Sequence, residues 1–417
     1  MILKVRSILA LLLYISIILL VTSSSLSSLF GLPKLDTLMM PVYLFTCIFM
    51  IFVYPPDRSI RDSIIILLLL AIVSSLSLIL NYTYDGLIDV LFISFLVYLF
   101  YISYLSIKMY SFDADFIRSL VSLPIILIYL GFFIELFLGV QLVQGNSSLS
   151  ILDNAFKGFF FNTNDQAVVV TSLLGAVCFF FILNQKKRKY RYIGYIHIII
   201  SGFIVFISAS RFALIIYLIS VLSTFFLNSN RIFKILYTIL AIILSTLILN
   251  LQFLKPIFNF LSQFPWLERS VERFELAIFS IEDDNSVGYR TEIYQSFLDN
   301  FHIVWIGHGP RNYYEYFSAK PLSYSLGYTN PHSFFIEVYL AFGIFAFIIF
   351  LIFLLNSIYS VFVNSNLKLT QRIFFLVIVF SFCSLIWVPS SILRLPLIWY
   401  PLFLIIIFSK NYRVNYV

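Results

Sequence analysis

His332, Ser333 and Glu337 stand in the stretch GYTNPHSFFIEVYLAFG, residues 327–343, at the mouth of a long apolar run. Asn330 suits a helix cap and Pro331 a first turn, so a helix is predicted to begin there. The unpaired N–H groups and positive dipole end of such a start attract anions, phosphate above all. They also disfavour imidazolium, which leaves His332 neutral and able to accept a proton near neutral pH. Glu337 falls one turn below Ser333 on the same face, where an ionised carboxylate needs a wet or paired interior. Spacing alone leaves two readings, a histidine-based catalytic site and polar decoration of a membrane interface.

Cationic residues elsewhere have chemistry of their own. Tyr192 to Leu227 is 36 residues, about 54 Å as one helix and too long for a single span, so the chain must turn near SASR. That turn holds Arg211 at a membrane boundary, where it either snorkels to headgroups or binds an anionic headgroup or a substrate phosphate. GYRTE supplies Arg290, and GHGPRNYY supplies His308 and Arg311, with Gly307 and Gly309 allowing a tight turn and close backbone approach to a ligand. Asp283 and Asp284 in IEDDNS read as a solvated turn or as oxygen donors to a divalent cation. NTNDQ, with Asn164 and Asp165, reads as a helix cap. Tyr313, Tyr314, Tyr316, Tyr324 and Tyr328 suit either sugar stacking or an interfacial belt.

Membrane helices must position these groups. The 417 residues are 61% hydrophobic and 11% charged, against about 45–50% and about 25% in soluble domains. About twelve apolar runs recur, each long enough to cross a hydrocarbon core about 30 Å thick. The first follows Lys4 and Arg6 and reads as a retained helix rather than a cleaved signal. With both termini in the cytoplasm, 17 Lys and Arg residues fall inside, QKKRKYR being the densest cluster, and 4 fall in short outer loops: Lys34, Lys157, Arg211 and Arg394. The net charge of +7 is therefore topological and gives no case for nucleic acid. Cys47, Cys178 and Cys383 lie singly in predicted spans and form neither a disulfide framework nor a metal motif.

One connection, residues 253–331, is far longer than the rest and faces outward, and a loop of that length is usually functional. PWLERSVERFELAIF has the pattern of an interfacial amphipathic helix, with Val271, Phe274 and Ile278 on one face. TEIYQSFLDNF repeats it with Tyr294, Phe297, Leu298 and Phe301. The expected architecture is all-α: one membrane domain over residues 1–417, a polytopic bundle of about twelve spans with a helical extracytoplasmic loop.

Together these motifs resemble the bacterial O-antigen polymerase and O-antigen ligase superfamily. Its ligase signature is a histidine, then Asn, Ser or Gln, nine residues, and two glycines separated by two positions. Here His332 and Ser333 are followed by nine residues, Gly343, Ile344, Phe345 and Ala346, so alanine replaces the last glycine. GFFFNTNDQAV is similar to the family's Gly-Phe…Asn-Pro-Asn stretch, with Thr163 for proline; SASRFALI resembles its Ser-Arg helix start, and YRTEIYQSFLDNFHIVWIGHGP its arginine helix ending in Gly-x-Gly. The match runs from Gly158 to Phe350 in the family's order. Many members carry an acid two positions before the first signature glycine, where this chain has Ala341.

The resemblance implies glycan transfer from a polyprenyl-diphosphate donor to an acceptor hydroxyl on the outer face of the bacterial cytoplasmic (inner) membrane. His332 would take the acceptor proton, and Arg211 and Arg290 would hold the departing diphosphate. Ser333, Glu337, Gly307, Gly309, Arg311 and Asn164 would support them, without cofactor or metal. Implied partners are lipid-linked glycan substrates and the bilayer, with a chain-length regulator and a flippase as candidates. A polysaccharide polymerase for O-antigen or capsule is favoured over a ligase that moves finished polymer to a lipid A core. A lipid-linked glycan transporter ranks third: its reading calls for charges deep within several spans and two related halves, whereas the deep charges are Asp89, Glu135 and Glu337.

Overall fold

Apolar runs with few charges leave the backbone no partner in lipid except itself, so each run becomes a helix. The computed structural model describes residues 2–31, 33–143, 156–183, 185, 187–230, 234–235, 255–279, 285–299, 301–310, 312, 333–363, 367–388 and 394–411. In chain order the helices are α1 (Ile2–Phe30), α2 (Leu35–Val53), α3 (Arg58–Leu80), α4 (Tyr84–Met109), α5 (Ala114–Leu138), α6 (Thr163–Val177), α7 (Arg188–Ile207) and α8 (Arg211–Asn228). Then follow α9 (Lys255–Leu261), α10 (Pro265–Phe279), α11 (Asn285–Asp299), α12 (Phe334–Val363), α13 (Leu369–Leu385) and α14 (Tyr400–Asn411). Among the described residues there is no strand, and nine helices, α1 to α8 and α12, are long and apolar enough to cross a membrane. The shorter apolar helices α13 and α14 add two more, and the expected span after Asn230 lies almost wholly outside the described residues. The protein is a multi-pass helical membrane protein.

α4, α6 and α14 form the interior. Away from their ends their side chains are mostly apolar or small, and α4 from Phe92 to Ile107 and α14 from Tyr400 to Ser409 are buried almost without interruption. α6 ends in a π-turn, Cys178–Leu183, whose Phe179 packs against Phe374 of α13 and Phe408 of α14. Lipid-facing leucines, isoleucines and phenylalanines cover α2, α3 and α12, as expected of an outer ring.

Contacts sort the connections into two ends. At one end Arg6 lies over the Tyr110 ring, Lys108 pairs with Asp57 at 2.7 Å, Tyr190 donates to Asp115, and Ser59 donates to Asn411. At the other end Lys34 lies over Phe161, Arg394 Nε meets the fully buried Asp89 at 2.6 Å, and Thr83 donates to Pro310 O. The first end carries the residues that charge counting placed inside, and the second carries Lys34 and Arg394 with the long loop.

The predicted hairpin at SASR is present. α7 ends at Ile207, Ala209 takes the left-handed region (φ 55), and α8 starts at Arg211. The amphipathic reading of α10 also holds: Val271 and Phe274 are buried, Phe206 of α7 stacks on Phe274, and Ser270 donates to Ile207 O. α11 follows its reading in part: Ile293, Tyr294 and Phe297 pack inward, whereas Leu298 is 69% exposed, beyond the stripe that faces the bundle, and Phe301, past the helix end, is 54% exposed.

Candidate active site

α12 is not a straight rod. Gly343, with φ 83 and ψ 179, breaks it into arms 334–342 and 344–363. An unbroken helix would set Phe334 and Phe350 about 24 Å apart, yet their rings meet at 5.1 Å. Phe335 likewise meets Phe347 and Phe350, and Tyr339 meets Phe347. The short arm therefore folds back along the long one, which is a re-entrant helix. Residues 344–363 alone extend about 30 Å, enough to cross the membrane.

Reversal strands backbone groups, and in a membrane protein each must find a partner. Segment 302–309 of the long loop supplies them. His308 N–H donates to Leu340 O at 2.7 Å, Gly309 N–H to Ala341 O at 3.1 Å, and Ile344 N–H to Val304 O at 2.8 Å. Ser77 of α3 adds a donor to Ala341 O, and the Tyr339 hydroxyl donates to His302 O while accepting from Val304 N–H at 3.3 Å. Tyr339 also stacks on Phe301 and meets Phe297 edge-on, tying the short arm to α11.

Gly307 and Gly309 do allow a tight turn with close approach of backbone. The close approach they permit is to the chain itself: a Cβ on Gly307 (φ 85) would lie 2.3 Å from Ala341 O, and one on Gly309 (φ 94) would lie 2.5 Å from the Asn81 Cβ. Burial and the nearby His302 hold His308 below the ordinary histidine range.

The described helix starts at Phe334, and Asn330 and Pro331, expected at its cap and first turn, lie outside the described residues. Buried Ser333 precedes it, its carbonyl accepting Glu337 N–H at 2.9 Å and its hydroxyl facing Ile336 N–H at 3.5 Å. Phe334 N–H donates to Ile386 O on the turn that leaves α13. On the same turn, Arg290 of α11 donates to Val388 O at 3.4 Å. Arg290 and the start of the short arm thus lie two residues apart on one piece of backbone. Glu337 is 3% exposed, inside the bundle.

Arg211 reaches the same end. α8 and α13 pack with Ser220 and Ser381 at 3.3 Å, so Arg211 stands about 13 Å above that contact and Val388 about 10 Å above it. The Arg211 guanidinium donates to Arg273 O at 3.5 Å on α10. Both arginines, Ser333 and the arm start therefore occupy the end that carries the long loop. His332, Arg311, Asp283, Asp284 and the tyrosines from Tyr313 to Tyr328 lie outside the described residues. Asn164 sits in the first turn of α6, and Asn162 is the actual cap, accepting Asn164 N–H at 2.9 Å.

Two contributors were not anticipated, Tyr339 as the clip between arm and loop and Ser77 as a donor to the reversal. Nothing in their own neighbourhoods marks them, because both act across long sequence separations. Their partners mark the only local signal, a glycine in the middle of an apolar run.

No curated protein matches the chain by sequence. Residues 196–351 are similar to the sequence model of a family described as O-Antigen ligase, a segment that runs from α7 through the reversal into the long arm of α12.

Proposed function

We propose that this chain is a polymerase of surface polysaccharide, O-antigen or capsule, working on the outer face of the cytoplasmic membrane with both termini inside. The reading rests on one observation above all: the helix that follows the signature His332 and Ser333 begins two backbone residues from the contact made by Arg290, at the loop-bearing end. In this reading His332 takes the proton from an acceptor sugar hydroxyl. The new glycosidic C–O bond forms as the anomeric C–O bond to the diphosphate breaks, and Arg290 and Arg211 neutralise the departing diphosphate. Guanidinium suits that task because its planar fork matches phosphate oxygens two at a time. The lipid-linked donor enters from the bilayer, and no cofactor or metal takes part.

The description of the matched family favours a second reading, a ligase that moves finished polymer to a lipid A core. The alanine at the last signature position sets the chain apart from that pattern and supports polymerase. Surface polysaccharide from a deletion strain, run on a gel, separates the two. Single repeat units on the anchor support the polymerase. A bare anchor with lipid-linked polymer accumulating supports the ligase, and an unchanged ladder contradicts both.

A further inference from the structure

The outer start of α6 holds polar atoms that the fold leaves unused. Gln166 is 0% exposed, and both its Nε2 and Oε1 have no hydrogen-bond partner among the described residues. Asp165, next in the chain and partly exposed, has its Oδ1 sealed from solvent and equally unpartnered. Buried carboxamides and carboxylates are almost always bonded, because losing water without replacement is unfavourable. Two consecutive exceptions point to a bonding partner that arrives from outside the chain.

The surroundings are constructed rather than loose. Glu135 of α5 accepts the N–H groups of Leu142, Lys157 and Gly158 at 2.9, 2.6 and 2.7 Å, which fixes the segment leading into α6. Gly158 takes φ 55 there, and a Cβ on it would lie 2.8 Å from Gln166 Nε2, so the carboxamide rests against backbone held in place by Glu135. Phe161, one residue before the cap, is 46% exposed and lies under the Lys34 ammonium. This corner shares an end of the bundle with Arg211, since α6 packs on α8 and both start there.

We infer that Gln166 and Asp165 form a subsite for the uncharged hydroxyls of a glycan, a role that rests on the transferase reading. A carboxamide offers donors and an acceptor, and a carboxylate accepts from two hydroxyls, which together suit a polyol and not a phosphate. The subsite would select the sugar, while the arginines hold the diphosphate that every such donor shares.

The test uses the full chain in lipid nanodiscs with two probes: polyprenyl diphosphate without sugar, and the lipid-linked glycan that accumulates in a strain deleted for this chain. Gln166→Met keeps the shape and removes both polar atoms, and Asp165→Asn replaces one acceptor oxygen by an N–H donor. The expected result is that both variants bind the bare diphosphate within twofold of wild type and the glycan-bearing lipid at least tenfold more weakly. Ligand-free Gln166→Met should melt no lower than wild type, whereas a purely structural glutamine would lower it. Equal weakening of both probes, or glycan affinity kept within twofold, overturns the subsite while leaving the transferase reading intact. If the deletion strain accumulates no lipid-linked glycan, the transferase reading fails and the subsite fails with it.

Discussion

Gly343→Ala is the sharpest probe of the reversal in α12. At φ 83 and ψ 179 an alanine is confined to a backbone region that is essentially glycine's alone, at a strain of about 1–3 kcal/mol. Its Cβ would lie 2.3 Å from Trp305 O and 2.6 Å from Gly307 N, so the long-loop segment has to move. Moving it breaks the bonds from His308 N–H, Gly309 N–H and Ile344 N–H, each worth about 0.5–1.5 kcal/mol. The sum is about 2.5–7.5 kcal/mol against the native arrangement. Even the lower bound reduces its population by about 60-fold, at 1.4 kcal/mol per factor of ten. Gly139→Ala is the control: φ is 65 at the end of α5, but nothing lies within 4 Å of the added Cβ, so only the strain applies. The assay is polymer formation in membranes complemented with each variant, beside protein level and melting temperature in detergent. Gly343→Ala should lose at least ten times more activity than Gly139→Ala at equal protein level. Activity within twofold of wild type would refute the claim that the reversal positions the site.

Further expectations follow from the same geometry. Tyr339→Phe removes the hydroxyl that bridges His302 O and Val304 N–H; it should lower stability by about 1–2 kcal/mol and slow polymer formation, as read by thermal melts and radiolabelled sugar incorporation. His332→Ala should abolish transfer with membrane insertion intact, and Arg290→Lys should fail as well if two-pronged phosphate contact matters; normal long-chain polymer from either removes that residue from the mechanism. Arg394→Met leaves the fully buried Asp89 without its cation, so it should lower the melting temperature more than the double variant Arg394→Met, Asp89→Leu does; equal losses would contradict the pairing argument. His308 is held below the ordinary histidine value in the folded protein, so the unfolded chain binds more protons below about pH 6.5. Stability from this group is therefore complete above that pH and declines as the pH falls below it; melts at about pH 7.5 and about pH 5.5, on either side of the ordinary histidine value, should differ less in His308→Gln.

Much of the fold was legible because lipid allows so few solutions. Apolar runs mark α1 to α8, and the arithmetic that 36 residues exceed one span located the turn at Ala209. Charge alternation located α10, whose apolar face lies on α7. The reversal at Gly343 escaped although the same arithmetic applies: the 30 residues of α12 make about 45 Å of helix, well over a core about 30 Å thick. Residues 334–342 are mostly apolar apart from Glu337 and Tyr339, so hydropathy could not separate an arm buried in protein from one buried in lipid. The nine-residue spacing between Ser333 and Gly343 is the length of that arm, a meaning visible only once the rings of Phe334 and Phe350 are seen to touch. Gly307 and Gly309 signalled close approach, but sequence cannot say to what, and the partner proved to be the broken helix.

Folding back of the 334–342 arm sets its start, at Ser333 and Phe334, on the turn that Arg290 also contacts, and a cross-link tests it directly. In a background with Cys47, Cys178 and Cys383 replaced, Phe334→Cys and Phe350→Cys are paired and oxidised in the purified full chain. The reversal predicts cross-linking within one molecule, as a disulfide or through a short bifunctional thiol reagent, because those rings lie 5.1 Å apart. A folded, membrane-inserted protein in which the pair never cross-links would match a straight helix, with the two positions about 24 Å apart, and would contradict the site as described.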